Sequence, residues 1–283
     1  MNITKGFAEV ENSKLYYEVA GEGHPLLLVH PMLTSHKYWD DQFSEFAKQY
    51  RVIRYDVRGF GQSKMSKEPY TDTRDIIQLL DFFGIEKTYL LGLSFGGEIA
   101  MHFTLEHPER VDGLVMSGVG LEGYEYSAEG TAEFEPKWMA FIERIQNHDF
   151  DGARERFIEF AVDSPVGRAD EKVRERARAL MQDYTFPHFL PPDDAAPAME
   201  EIVPAESQQV HMPAIQRLHQ IQVPTLVMAG GYEAKDIQDI VDILARDIPH
   251  AQKAVIPKAG HFVSLEKPAE FNRVVLDFLS HLG

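Results

Sequence analysis

Between the apolar run Tyr89-Leu90-Leu91 and a helix-like stretch from about Gly97 to His107 stands Gly92-Leu93-Ser94-Phe95-Gly96, a junction that leaves the chain few choices of fold. A serine on a sharp turn from a buried strand into a helix is strained, and bulky side chains two residues to either side would collide there. Glycine at 92 and 96 relieves that crowding, and Gly97 lets the helix settle close to the sheet. The turn lifts the Ser94 hydroxyl above the sheet at a helix N-terminus, where the dipole favours developing negative charge. Taken by itself G-x-S-x-G is a weak signal; the strand before it and the helix after it supply the weight. Acyl transfer through Ser94 needs two backbone N–H donors for the tetrahedral oxygen, and the residue after the nucleophile, Phe95, provides one.

The rest of the chain supplies the sheet such a turn requires. Leu15–Ala20, Leu26–Val29, Val52–Tyr55, Tyr89–Leu91 and Val111–Met116 read as strands, separated by amphipathic spacing at Trp39, Phe43, Phe46 and Ala47 and at Ile76, Ile77, Leu79, Leu80 and Phe83. Continuous apolar strands alternating with helices imply a parallel sheet with right-handed crossovers. From about Gly120 to Pro213 no strand pattern appears. Helical stretches at 133–146, 152–162 and 171–183 take its place, followed by the proline-rich FPHFLPPDDAAPAMEEIVP, an irregular connector. Alternation resumes with Pro224–Ala229, a helix over 235–246, Ala254–Ile256 and a last helix over 268–282. The expectation is one α/β core, residues 1–119 and 214–283, interrupted by an all-helical insertion over 120–213.

Composition narrows the partners. With 28 Lys and Arg against 45 Asp and Glu, the net charge of -17 repels phosphate backbones, so nucleic acid is not expected. The longest apolar run, around PLLLV, is far too short to span a membrane, and no segment has a signal peptide's apolar centre. A soluble cytoplasmic protein is expected, and nothing in the sequence argues against a homo-oligomer. There is no cysteine, which excludes disulfides and thiolate chemistry. The histidines lack ligand spacing: His102 and His107 are five apart, so no metal and no cofactor is expected.

Three further segments carry a resemblance. His30-Pro31-Met32-Leu33 follows an early buried strand, Tyr55-Asp56-Val57-Arg58-Gly59-Phe60-Gly61-Gln62-Ser63 follows the next, and KAGHFVSLEKPAEFNRVVLDFL closes the chain. With the Ser94 turn, they make nearly the whole chain similar to the α/β-hydrolase superfamily, and to its capped members among enol-lactonases and small carboxylesterases. The resemblance implies a mostly parallel central sheet flanked by helices, with an all-helical cap inserted after the sixth strand. It implies Met32 as the second oxyanion donor. Pro31 stands where relatives usually carry glycine; it lacks an N–H, but the donor is the next residue, and its fixed φ shapes the loop. His30 reads as a buried structural histidine. The 55–63 segment reads as a loop shaped by an Asp56–Arg58 turn with two glycines.

By the same resemblance His261, after Gly260, is the general base. The acid falls about three residues after the glycine ending the PTLV strand, which favours Glu233 over its rival Asp236, itself a good helix N-cap ahead of Ile237. A lid would bring aromatic side chains over the serine, with Trp138, Phe186 and Phe189 as candidates for the pocket. The implied activity is hydrolysis of a small-molecule ester or lactone through an acyl-enzyme. Carbon–carbon bond cleavage by the same triad is the alternative, and a non-catalytic ligand binder the third reading.

Overall fold

The computed structural model describes residues 1–167, 169–190 and 212–282. An eight-stranded sheet runs through it in the order β1-β2-β4-β3-β5-β6-β7-β8. Its strands are β1 (Ile3–Val10), β2 (Ser13–Ala20), β3 (Pro25–Val29), β4 (Arg51–Tyr55), β5 (Thr88–Leu93), β6 (Val111–Ser117), β7 (Thr225–Gly230) and β8 (Gln252–Ile256). Strand β2 is antiparallel to both neighbours, and β3 to β8 pair in parallel. Every residue of β5 and β7 is buried, as expected of strands covered on both faces.

The sequence pattern misses β1. It is an edge strand whose only buried residue is Ala8, so it lacks the apolar alternation that would announce it. Full antiparallel pairing with β2, from Ile3 opposite Ala20 to Val10 opposite Ser13, holds it in place.

Helices α1 (Asp40–Phe46), α2 (Asp72–Phe82) and α3 (Phe95–Glu106) link the first parallel strands. Between β6 and β7 lie α4 (Ala128–Gln146), α5 (Phe150–Ala161), α6 (Glu171–Met181) and the short α7 (Ala214–Arg217). Helices α8 (Lys235–Asp247), α9 (Val263–Glu266) and α10 (Pro268–Ser280) complete the core. No strand interrupts the described part of the segment between β6 and β7. The connector expected over 186–204 lies outside the described residues from 191 onward. No described helix is long and apolar enough to cross a membrane.

The 55–63 loop turns through Gly59 at φ 82 and Gly61 at φ 52. Asp56 accepts hydrogen bonds from the His36 amide (2.6 Å) and the Gln62 amide (2.8 Å), with the His36 ring at 2.7 Å. Arg58 pairs with Asp75 on α2 through two bonds of 2.8 and 2.5 Å, both side chains being buried. Two buried charges in one turn each find a partner on a different element, which desolvation demands. The loop is thereby fastened to α2 and to the segment after β3.

Candidate active site

Ser94 follows β5 at φ 53, ψ -124 and is the N-cap of α3. A non-glycine residue held there is strained, which for a residue at a strand-to-helix corner is a functional signature. The surrounding glycines explain how the corner closes. A Cβ on Gly92 would stand 2.1 Å from the Gly96 carbonyl oxygen, one on Gly96 2.2 Å from that of Val29, and one on Gly97 2.2 Å from Val119 Cγ1. The Gly96 approach presses the first turn of α3 against the end of β3, beside the His30–Leu33 loop. Among the described residues neither the Phe95 amide nor the Met32 amide has an acceptor, so both remain available to an incoming oxygen.

His30 shapes that loop. The Val57 amide donates to its Nε2 (3.0 Å), so the ring proton sits on Nδ1 and is donated to the Pro31 carbonyl (2.9 Å). Burial lowers its pKa to about 4, so it stays neutral, as a structural histidine should. Pro31 therefore leaves a loop whose carbonyl is held by His30 and by the Thr34 hydroxyl at 2.7 Å.

On the neighbouring strand ends His261 Nδ1 lies 3.0 Å from Glu233 Oε2. A carboxylate only accepts, so Nδ1 carries the proton and Nε2 is free. Glu233 is nearly enclosed, and its other oxygen accepts from the Ala234 amide at 3.2 Å. Burial of the imidazole opposes its charged form. The Glu233 charge and hydrogen bond, with Glu266 and Glu98 beyond, outweigh that effect and raise the His261 pKa above its ordinary value. Two backbone bonds, Tyr232 N–H to the Ala259 carbonyl and Gly231 N–H to that of Ile256, both 2.8 Å, stitch the two loops together.

A residue that sequence reasoning passed over joins Ser94 to this pair. The Ser94 amide donates to the Ser117 carbonyl at 2.9 Å. The next residue, Gly118, has φ 57, and a Cβ there would stand 3.1 Å from His261 Nδ1 and 3.3 Å from Glu233 Oε2. A side chain there would press on the imidazole–carboxylate pair and would sit at a positive φ that favours glycine. Its signal is absent from the sequence because it depends on which strands become neighbours.

Asp236 is not beside His261. It accepts from Tyr124 Oη (3.0 Å), the Ser127 amide (3.1 Å) and Ser127 Oγ (3.0 Å), and Ser127 is the N-cap of α4. Nor does it cap α8, whose N-cap is Ala234. Its carboxylate instead moors the start of the inserted helices to the core.

Of the three expected pocket residues, Phe186 is fully buried, stacked on Phe150 (5.2 Å between centroids) and packed against Tyr184 and Phe141. It belongs to the interior of the inserted helices. Trp138 and Phe189 are half-buried in the same aromatic cluster, each against Phe141. Phe186→Ala is therefore expected to destabilise the fold by about 3–5 kcal/mol through the cavity it leaves, seen as a drop in Tm. An unchanged Tm with altered substrate preference would return it to the pocket.

One further contact ties the insertion to the corner at Phe95. His188 Nε2–H donates to the Arg58 carbonyl (3.1 Å), so its Nδ1 accepts from Tyr184 Oη at 2.6 Å. Phe60 stacks on both rings, at 4.4 Å from His188 and 4.9 Å from Tyr184, and reaches Phe95 at 5.9 Å.

A family model described as alpha/beta hydrolase fold matches residues 24–268. The 2-hydroxy-6-oxononadienedioate/2-hydroxy-6-oxononatrienedioate hydrolase of Comamonas testosteroni is 28% identical, covering 96% of this chain and 93% of its own. Among solved structures, Est816, described as an N-acyl homoserine lactone degrading enzyme, is similar with a TM-score of 0.75 and 32% identity, covering 96% of this chain and 100% of its own. A thermophilic esterase from Thermogutta terrifontis has a TM-score of 0.77 and 26% identity, covering 100% and 99%.

Proposed function

This chain belongs to the alpha/beta hydrolase fold family and is a hydrolase, and we propose that it cleaves a small-molecule ester or lactone through an acyl-enzyme on Ser94. The observation that supports this reading is the strained serine, whose amide is bonded to Ser117, together with a polarised His261–Glu233 pair that lies against the next residue, Gly118. Ser94 Oγ attacks the carbonyl carbon while His261 Nε2 takes its proton. The Phe95 and Met32 amides receive the tetrahedral oxygen. Collapse expels the alkoxide, which leaves with the proton from His261; water then repeats the sequence on the acyl-enzyme. Glu233 keeps the imidazole in the needed tautomer and stabilises its charged form. The described helices between β6 and β7 act as the lid that excludes water, with Trp138 and Phe189 toward the substrate.

Lactones deserve the first trial, because the relative at 32% identity is described as degrading N-acyl homoserine lactones. The experiment is a panel of p-nitrophenyl esters of graded acyl length beside N-acyl homoserine lactones. Turnover of at least one of the two classes is expected. The Comamonas relative favours a second reading, hydrolysis of a carbon–carbon bond in a vinylogous diketone. A dienoate cleaved far faster than every ester and lactone, followed by its absorbance, would replace the first reading with the second.

A further inference from the structure

We infer that Glu98 is a positioning residue for the general base, fixing the Gly118–Gly120 strap that lies against His261 and Glu233. The inference rests on the acyl-enzyme reading. Glu98 stands four residues beyond the nucleophile, in the first turn of α3, and its amide donates to the Ser94 carbonyl at 3.0 Å. Its Oε1 accepts from the Gly120 amide at 3.2 Å. A Cβ on Gly120 would come within 2.5 Å of that oxygen and 3.6 Å of Tyr126 Oη. So the strap leaving β6 has its first residue against the imidazole–carboxylate pair and its third against the Glu98 carboxyl. One side chain on the nucleophile's own helix thus sets the position of the backbone on which His261 rests.

The electrostatics agree with the geometry. His261 meets carboxylates from three elements: Glu233 after β7, Glu266 on α9 and Glu98 on α3. Glu98 meets His261, the Gly120 N–H and Tyr126, with His102 one turn further along its helix. Burial pushes Glu98 up to about 7, while the Gly120 hydrogen bond and the His261 charge pull the other way. Glu98 therefore gains its charge well above the usual carboxylate range, and His261 loses its own above the usual imidazole value. An ionised Glu98 favours the imidazolium, so its removal lets His261 lose its proton at lower pH.

The test uses Glu98→Gln, which keeps an acceptor for Gly120 but no charge, and Glu98→Ala, which keeps neither. The rate of fluorophosphonate labelling at Ser94 is followed against pH, and the His261 ring is titrated by NMR, with His261→Gln for assignment. For Glu98→Gln both midpoints are expected to fall by roughly half to one pH unit, on the scale of a nearby charge, with a plateau lowered a few-fold. Glu98→Ala should show the same displacement and a plateau lower by about tenfold, as loose positioning predicts. Should Glu98→Ala fail to fold, Glu98→Leu, which also offers Gly120 no acceptor, takes its place. A labelling plateau in the acceptor-free variant equal to that of Glu98→Gln, with the His261 midpoint unmoved in both, would overturn the inference and leave Glu98 a helix-packing carboxyl. A wild type unlabelled at Ser94, with the NMR midpoints still displaced, would instead overturn the acyl-enzyme reading.

Discussion

Ser94→Ala is expected to lower kcat by about 10⁵–10⁶, the scale at which a nucleophile working with its base is lost as a unit. The variant should remain folded. Alanine carries the same left-handed strain as serine at φ 53, and the hydroxyl has no partner among the described residues whose loss would be felt. A residue of catalysis, roughly 10³–10⁴ over water, should survive from the oxyanion donors and binding. The measurement pairs kcat on the best substrate of the panel with stoichiometric fluorophosphonate labelling and circular dichroism. Labelling that persists in the alanine variant, or appears on another serine, would displace Ser94 from the mechanism.

Glu233→Gln should lower kcat by about 10³–10⁴, close to the loss the corresponding amide change causes in serine proteases. The reason is more specific than a lost charge. An amide can turn its NH₂ toward Nδ1, which leaves the imidazole proton on Nε2, where the base must be empty. Asp236 cannot take over, because its carboxylate is engaged elsewhere: Tyr124 and Ser127 hold both its oxygens. The surviving activity should also start at lower pH. His261 is raised by Glu233, so without that carboxylate the imidazole becomes neutral sooner as pH rises. Asp236→Asn should leave kcat within a few-fold and lower stability by about 1–3 kcal/mol, since an amide cannot accept all three donors. If the asparagine variant is the crippled one and the glutamine variant turns over normally, the acid is Asp236.

How far the sequence could be read depended on whether a residue's partners are near it in the chain. The Ser94 turn was legible because its requirement is local: Gly92, Gly96 and Gly97 relieve contacts that a five-residue window already implies. The pairing of Glu233 with His261 followed from a short count after Gly230. His30 was readable as structural from its place after β3. By contrast, Asp236 reads as a helix cap in its own window, and its true partners lie 109 and 112 residues away. Gly118 and Glu98 give no signal, because their work depends on β6 lying beside β5 and β7. Strand β1 was missed for another reason: an exposed edge needs backbone pairing more than it needs apolar residues. Phe186 was misplaced because an aromatic side chain on a helical insertion looks the same whether it faces substrate or its own neighbours.

The mooring of Ser127 by Asp236 bears on how such enzymes can be recombined. Glu233 and Asp236 are three residues apart, so the root of the inserted helices and the carboxylate paired with His261 are anchored in one turn of chain. A chimera that imports a foreign insertion at Ser127 strands a buried carboxylate, and one that repairs Asp236 to suit the newcomer disturbs the loop that pairs with His261. If the insertion governs substrate scope as proposed, grafts are best made within it, downstream of Ser127, or by exchanging it together with the segment from Gly230 to Asp236.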